Sequence, residues 1–338
     1  MSTAAPRIPA ADGDATLPPA LTLPPAPPAH LKDIATDESS LKRFLHGLPG
    51  VDAVGVEQRA AGLATRSIKK AAKLAAIDLA ISMVDLTTLE GSDTEGKVRA
   101  LAAKARRPDP DRPDTPHVAA LCIYPDMVAT AVAALSGSNV GIASVATAFP
   151  TGRTSLAVRL ADTAVAVDAG ATEIDMVIDR GAFLSGHYGQ VFEDIRRVKD
   201  ACGGARLKVI LETGELATYD NVRRASWLAL LAGGDFIKTS TGKISPAATL
   251  PVTHVMLQAV RDWYEQTGER RAVKPAGGIR NTKDAIRYLV AVKEVAGPEW
   301  LDPFLFRFGA SSLLNDLLLQ RRTQLDGHYS GPDYVTLD

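Results

Sequence analysis

Two lysines in this 338-residue chain each end a short apolar run. Lys238 ends the run at 236–238, Lys274 ends the run at 272–274, and turn-forming residues follow both. A lysine at the end of a buried strand is costly to remove from water, so it needs a partner or a chemical task. A neighbouring positive charge lowers the pKa of an amine, which is how a protein obtains a nucleophilic lysine near neutral pH. The pair therefore predicts a nucleophilic amine.

The pKa shift that this chemistry requires is of a size that two neighbouring lysines can supply. A free lysine titrates near pH 10.4, so a nucleophile at neutral pH needs a shift of about three units, or about 4 kcal/mol. On adjacent strands the two backbones lie about 4.8 Å apart, and one positive charge with partial burial accounts for such a shift. The alternative is that both lysines form structural ion pairs with inward carboxylates such as Asp175 or Glu212. Their place at strand ends favours catalysis.

Glycines, serines and two further cations follow the last three apolar runs. Backbone amides of such loops and a helix N-terminus bind phosphate, glycine lets the backbone approach the anion, and a serine can cap the last helix. The alternative is that these are ordinary turn glycines and N-cap serines. The candidate phosphate-binding residues are Gly242, Lys243, Gly277, Gly278, Arg280, Gly309, Ser311 and Ser312.

These candidates must be positioned by elements that alternate between apolar runs and helical patterns. The runs are 83–87, 119–124, 140–145, 173–178, 207–212, 235–239, 272–274 and 304–308. Near-continuous apolar strands separated by helices indicate a parallel sheet that is covered on both faces. Eight such units predict a (β/α)8 TIM barrel with an N-terminal helical extension. A doubly wound open sheet is the alternative, although the glycine-rich nucleotide fingerprint of that fold is missing.

The chain divides by composition into four segments. Residues 1–30 are dominated by proline and alanine and predict a disordered tail, because proline removes amide donors and fixes φ. Residues 31–65 form a lead-in that is predicted to be partly helical, with a turn at 48–50, and a stronger helical pattern covers 65–82. The barrel is expected over 66–325, followed by a C-terminal tail at 326–338.

Charge and cysteine content exclude several classes of protein. The chain has 38 Lys and Arg against 39 Asp and Glu, which provides no electrostatic footprint for nucleic acid or an anionic membrane. No apolar run approaches the roughly 18 residues that span a bilayer, and the N-terminus does not read as a secretory signal. Cys122 and Cys202 are too few for a disulfide framework. We expect a cytoplasmic protein that acts on small molecules, without a nucleic-acid or membrane partner.

Several of these segments, in order along 66–322, resemble those of the deoxyribose-phosphate aldolases. The matching segments are 85–89, 122–125, 173–175, 211–216, 236–243, 274–278 and 307–312. The resemblance implies a class I aldolase without metal or cofactor that reversibly cleaves 2-deoxy-D-ribose 5-phosphate to acetaldehyde and D-glyceraldehyde 3-phosphate. It also implies that Lys238 is the Schiff-base nucleophile, that Lys274 lowers the pKa of Lys238, and that Asp175 shuttles protons through a water.

Four further residues are weaker candidates for the site. Asp85 ends the first strand and is expected to orient Lys274 or a substrate hydroxyl, unless it forms a structural pair. Thr87 and Thr241 could hydrogen-bond substrate hydroxyls, although threonine is common in strands. Cys122 matches a family position that faces the site, whereas a buried cysteine is usually a small hydrophobe.

The chain departs from shorter family members at both ends. The role of its N-terminal extension is not assigned, and some members use a mobile C-terminal tyrosine for which Tyr329 and Tyr334 are the candidates here, although neither is terminal. A tail bound to the surface is the alternative. Homodimers and homotetramers are both common in the family, and the sequence leaves the choice open.

Three competing functions remain open at this point. One is a lysine-dependent aldolase for a different phosphorylated sugar, and a second is a catalytically silent barrel that binds a sugar phosphate. The third is a metal-dependent aldolase of the same fold, although the six histidines show no paired ligand spacing.

Overall fold

Parallel strands follow one another around a barrel in the computed structural model, which describes residues 31, 34, 37–328 and 331. Eight strands of the described residues pair in the order β7-β6-β5-β4-β3-β2-β1-β8. They are β1 (Val84–Thr87), β2 (Ala120–Ile123), β3 (Gly141–Val145), β4 (Glu173–Val177), β5 (Arg206–Ile210), β6 (Phe236–Lys238), β7 (Ala272–Lys274) and β8 (Phe308–Ala310). The predicted barrel is confirmed, because neighbouring strands are parallel and each connection between consecutive strands contains a helix.

The barrel closes between β7 and the chain around β8. Isolated parallel bridges join Val273 to Phe306 and Ala276 to Gly309. Between them, Arg307 N–H donates to the Val273 carbonyl at 3.1 Å and Gly309 N–H donates to the Pro275 carbonyl at 2.9 Å. The open-sheet alternative is therefore wrong.

The helices cover the outside of this barrel. They are α1 (Glu38–Gly47), α2 (Ala53–Ala64), α3 (Lys70–Ser82), α4 (Glu95–Arg106), α5 (Val128–Leu135), α6 (Leu156–Asp168), α7 (Arg180–Leu184), α8 (Tyr188–Ala201), α9 (Tyr219–Leu231), α10 (Leu250–Thr267), α11 (Thr282–Val295) and α12 (Leu313–Asp326). Side-chain oxygens cap many of them, as when Thr218 Oγ1 accepts from Asn221 N–H at the start of α9. An apolar core fills the layer between strands and helices and contains Trp227, Trp263 and Trp300.

Two predicted elements differ from the structure. The run 304–308 is not a regular strand, because the N–H groups of Leu305 and Phe306 turn back to the Asp302 carbonyl and β8 begins only at Phe308. The helix predicted over 65–82 begins only at residue 70. Arg66 N–H instead donates to the Leu63 carbonyl and so belongs to the end of α2. Both errors concern boundaries, where backbone hydrogen bonds decide and side-chain periodicity is a weak guide.

The segment before the barrel carries α1 and α2, which pack on barrel helices. α1 contacts α8 and α9, whereas α2 contacts α10 and α11. The predicted Pro/Ala-rich tail at 1–30 lies outside the described residues, and so do Tyr329 and Tyr334. In the part of the chain that is described, no helix combines the length and hydropathy needed to cross a bilayer.

Candidate active site

Strand register brings Lys238 and Lys274 side by side. The two residues are direct partners in the parallel pairing of β6 with β7. Their neighbours Ile237 and Val273 belong to the apolar core outside the barrel. Because successive residues of a strand face opposite sides, both lysines point into the barrel interior.

Asp175, on β4, joins the two lysines. Its Oδ2 accepts hydrogen bonds from Lys238 Nζ at 2.7 Å and from Lys274 Nζ at 2.8 Å, and its Oδ1 accepts from Lys208 Nζ at 2.8 Å. At most 3% of any of these four side chains is exposed. Of the two carboxylates named as structural partners, only Asp175 is here, since Glu212 bonds to Thr241 instead.

The cluster continues toward the first and last strands. Asp85 Oδ2 lies 2.6 Å from Lys274 Nζ, and Asp85 Oδ1 accepts from Arg307 Nη1 at 2.6 Å. Arg307 Nη2 donates to Glu173 Oε1 at 3.0 Å, while Glu173 Oε2 lies 2.5 Å from Lys208 Nζ. Three carboxylates and four cations of the described residues thus form one buried network.

Lys208, Glu173 and Arg307 are members of this network that sequence reasoning missed as site residues. The signal was present, since each is a charged residue within or beside an apolar run. What the sequence lacked was the strand register that turns all three toward the same interior. Asp85 was predicted to serve Lys274 or a substrate hydroxyl, and its oxygens face Lys274 and Arg307.

The pKa values of the two predicted lysines diverge. Burial lowers the pKa of Lys238 below its usual range, and the positive charge of Lys274 lowers it further, although Asp175 opposes both. Burial also acts to lower the pKa of Lys274, but Asp175 and Asp85 outweigh it and hold this pKa well above the usual value. Lys274 is therefore cationic at neutral pH, whereas the pKa of Lys238 is shifted toward neutrality.

The remaining charges of the network support the same assignment. Burial raises the pKa of Asp175, but Lys208, Lys238 and Lys274 together hold it well below its usual range. Burial lowers the pKa of Lys208, and the carboxylates Asp175 and Glu173 raise it above its usual value. Three ionised carboxylates then balance three cations if Lys238 is neutral. A neutral Lys238 leaves the buried cluster without net charge, which low-dielectric surroundings favour.

A cavity of about 360 Å³ opens above Lys238. Every predicted phosphate-binding residue lines it, together with Thr87 and Thr241: these are Gly242, Lys243, Gly277, Gly278, Arg280, Gly309, Ser311 and Ser312. Asp85, Asp175 and Lys274 do not line the cavity and are fully buried. The Lys238 amine thus has access from the cavity, and its charged partners are shielded from solvent.

Glycine is required where the walls of this cavity meet. Gly277 has φ +76°, and a Cβ there would lie 2.8 Å from Ala247 Cβ. A Cβ on Gly309 would lie 2.7 Å from Ala276 Cβ and 3.1 Å from Lys274 Cε. Side chains at these positions would displace the loops or the catalytic candidate Lys274.

The other predicted side chains have partners within the protein. Thr87 Oγ1 donates to the Asp85 carbonyl at 2.8 Å, and Thr241 Oγ1 donates to Glu212 Oε2 at 2.6 Å. Cys122 is buried in a small apolar cluster, with its Sγ 4.0 Å from Asp175 Oδ2, and burial raises its pKa. Cys122 is therefore a neutral thiol beside the carboxylate and does not line the cavity.

Ser312 occupies the N-cap position of α12, but its side chain makes no capping hydrogen bond. The sequence offered Ser311 or Ser312 as the cap of this helix, and the Ser312 side chain does not cap it. Ser311 and Ser312 both line the cavity.

A closed parallel barrel with a buried amine cluster at the carboxyl ends of its strands is typical of barrel enzymes that use a lysine nucleophile. Comparison with known proteins narrows this class. A family model described as DeoC/LacD family aldolase matches residues 79–318, and the chain belongs to this family. The resemblance seen in the sequence is confirmed, and the family makes the protein a lyase.

Individual relatives agree with the family. The chain is 47% identical over 277 residues to a deoxyribose-phosphate aldolase of Homo sapiens, and the alignment covers 79% of this chain and 87% of the relative. Among solved structures, a putative deoxyribose-phosphate aldolase from Coccidioides immitis has a TM-score of 0.61 at 28% identity, covering 80% of this chain and 99% of that one. The deoxyribose phosphate aldolase of Aeropyrum pernix has a TM-score of 0.55 at 25% identity, covering 75% and 99%.

Proposed function

We propose that this protein is a 2-deoxy-D-ribose 5-phosphate aldolase that reversibly forms acetaldehyde and D-glyceraldehyde 3-phosphate through a Schiff base on Lys238. The observation that carries the proposal is the Lys238 amine, whose pKa is lowered at the floor of the cavity while Lys274 stays charged beside it. The names of the relatives supply the substrate class.

Cleavage begins with Lys238 as nucleophile. Its neutral Nζ attacks the C1 aldehyde of the open-chain sugar to form a carbinolamine. Protonation of the carbinolamine hydroxyl by an acid and its loss as water yield a protonated imine. A base then takes the proton of the C3 hydroxyl, the C2–C3 bond breaks, and its electron pair moves toward the imine nitrogen to form an enamine. Glyceraldehyde 3-phosphate leaves, C2 takes up a proton, and hydrolysis of the imine returns acetaldehyde and free Lys238.

Asp175 and Lys274 are the acid–base pair of this sequence. Asp175 is held ionised by the surrounding lysines, so it can accept a proton, and Lys274 remains protonated, so it can donate one. Asp175 contacts both Lys274 and Lys238, but neither Asp175 nor Lys274 lines the cavity. We therefore propose that a water carries protons between this pair and the substrate.

The phosphate group of the substrate is proposed to bind at the loops of the cavity that follow β6, β7 and β8. Lys243 and Arg280 provide positive charge there, the hydroxyls of Ser311 and Ser312 donate hydrogen bonds, and the glycine loops allow close approach of backbone amides. Thr87 and Thr241 remain available as acceptors for sugar hydroxyls, since their own protons are already donated.

Borohydride trapping tests the Schiff base. Acetaldehyde and borohydride are added to the folded protein, and peptide mass mapping is expected to find an ethyl group on Lys238. Lys238→Ala should abolish this adduct, whereas Lys199→Ala, which removes a lysine paired with Asp235 outside the barrel interior, should retain it. A folded protein without an adduct on Lys238 would contradict the proposal and favour the silent barrel.

Location and assembly are also proposed. Cys122 and Cys202 are both free thiols, which supports a reducing cytoplasm. The Aeropyrum pernix relative is described as having a unique tetrameric structure, so we propose a homo-oligomer, either dimer or tetramer. Light scattering of the purified protein distinguishes these states from a monomer.

A further inference from the structure

A carboxylate forms an ion pair with Lys243, a cation that is proposed to bind the substrate phosphate. Glu90 lies in the loop between β1 and α4, and its Oε1 accepts from Lys243 Nζ at 2.8 Å. Both residues line the cavity above Lys238, together with Gly277, Gly278 and Ser311. Glu90 was not among the residues predicted from the sequence.

The loop that presents Glu90 is held in place by its own hydrogen bonds. Glu90 N–H donates to Asp93 Oδ2 at 2.9 Å, and Asp93 N–H donates to the Glu90 carbonyl at 3.0 Å. Asp93 Oδ1 accepts from Thr88 Oγ1 at 2.8 Å and from Lys97 Nζ at 2.9 Å. Lys97 is thus matched by Asp93, and the Glu90 carboxylate remains for Lys243.

The charges that line the cavity are unequal. Lys97, Lys238, Lys243 and Arg280 are its basic side chains, and Glu90 is the acidic side chain among the described residues that line it. A phosphate group that reaches Lys243 meets this carboxylate at the same ammonium. Two anions at one ammonium repel each other, so the Glu90 carboxylate weakens the binding of a phosphate at Lys243.

We propose that Glu90 is an internal competitor for the phosphate of substrate and product. In the empty enzyme it is the counter-ion of Lys243, and it leaves Lys243 when a phosphate monoester binds. This role rests on the proposed phosphate site. It assigns to Glu90 the effect of weakening phosphate binding at that site. A sugar without phosphate does not need to displace Glu90. The residue therefore reduces the difference in affinity between phosphorylated and unphosphorylated substrates.

The size of the effect follows from the exposure of the pair. The Lys243 side chain is 32% exposed and the Glu90 side chain is 62% exposed, so solvent screens their attraction. Ion pairs of this kind change an equilibrium by about two- to fivefold. Glu90→Gln preserves the shape of the side chain and removes its charge.

Calorimetric titration with inorganic phosphate measures the competition without requiring catalysis. At low ionic strength, Glu90→Gln is expected to lower the Kd for phosphate by about two- to fivefold. In steady-state turnover, the KM of Glu90→Gln for 2-deoxyribose 5-phosphate should fall by a similar factor, while its kcat/KM for 2-deoxyribose should change by a smaller factor. Glu95→Gln is the matched control, because it removes the same charge from an exposed pair with Arg99 on α4.

The outcomes separate this inference from the proposed function. If phosphate binds Glu90→Gln as tightly as wild type or more weakly, or binds neither form, Glu90 is no competitor and the inference is overturned. The same conclusion follows if Glu95→Gln tightens phosphate binding equally, because the effect is then one of net charge. A protein that binds phosphate more tightly as Glu90→Gln but does not cleave the sugar phosphate would contradict the proposed reaction and retain the competitor.

Discussion

Lys208, Lys238 and Lys274 have the same side chain on three adjacent strands, and their carboxylate partners distinguish them. Among the described residues, Lys208 lies within 3.6 Å of three carboxylates, Lys274 lies within 2.8 Å of two, and Lys238 is paired with Asp175. The pKa is raised for the first two and lowered for Lys238. The number of nearby negative charges therefore decides which of the three amines has a lowered pKa, because all three are buried.

Replacing Lys274 by methionine tests this selection. Below its pKa Lys238 is an ammonium and cannot attack, so trapping of acetaldehyde by borohydride should rise with pH to a plateau. Without the Lys274 cation, the pKa of Lys238 rises and the midpoint of this curve moves to higher pH. A shift of one unit lowers the trapping rate at pH 7 by about tenfold. A midpoint that stays or moves to lower pH would show that Lys274 does not set the pKa, and Lys199→Met is the control.

The loops that carry phosphate-binding candidates are held by neighbouring elements of the barrel. Glu212 follows β5 with a left-handed backbone at φ +53°, which is unfavourable for a residue other than glycine. Its buried carboxylate accepts from both the N–H and the Oγ1 of Thr241, and Thr241 Oγ1 accepts from Lys243 N–H at 3.1 Å. Glu212, in the loop after β5, thus holds the loop after β6 in place.

Glu212→Gln is expected to loosen that loop and weaken phosphate recognition. An amide replaces one acceptor oxygen with a donor, which then faces the Thr241 N–H. Loss of one such hydrogen bond costs about 1 kcal/mol, so KM for 2-deoxyribose 5-phosphate should rise about fivefold. The kcat/KM for 2-deoxyribose should change much less. Glu215→Gln provides the comparison, since Glu215 pairs with Arg180, and equal effects of both changes would argue against a specific role for Glu212.

At the scale of the whole molecule, α1 is integrated into the exterior of the barrel. Its Leu41 and Leu45 are buried, and Phe44 meets Trp227 of α9 edge to face at 5.5 Å. Glu38 accepts from the N–H of Tyr188 and of Gly189, at the N-terminus of α8, where a negative charge is favourable. The segment that precedes the barrel therefore contributes to its stability.

Leu45→Ala measures this contribution. Removing a fully buried leucine side chain should lower the free energy of unfolding by about 2–5 kcal/mol. Urea unfolding provides the value, and Leu325→Ala, at a side chain that is 39% exposed, should cost much less. The same small cost at both positions would mean that α1 detaches readily and adds little to the stability of the barrel.

The amino-acid sequence by itself determined the elements and singled out Lys238 as the candidate nucleophile. Alternating apolar runs and helical patterns are local signals, and so are a lysine at the end of a run and glycines in the following loop. These signals predicted the barrel, the neighbouring lysines and the residues that line the cavity. The same local reading failed at 304–308, where backbone turns at Asp302 delay the last strand.

Only the tertiary structure decided which charges surround that amine. Arg307 and Asp85 are 222 residues apart in the chain, yet they are hydrogen-bonded at 2.6 Å. Whether a strand residue faces inward depends on the register of all eight strands, and a pKa depends on the distances among every charge in the interior. The contacts of Lys208 in the network, and of Glu90 at Lys243, are therefore set by barrel closure, because Coulomb interactions follow distance in space and not separation along the chain.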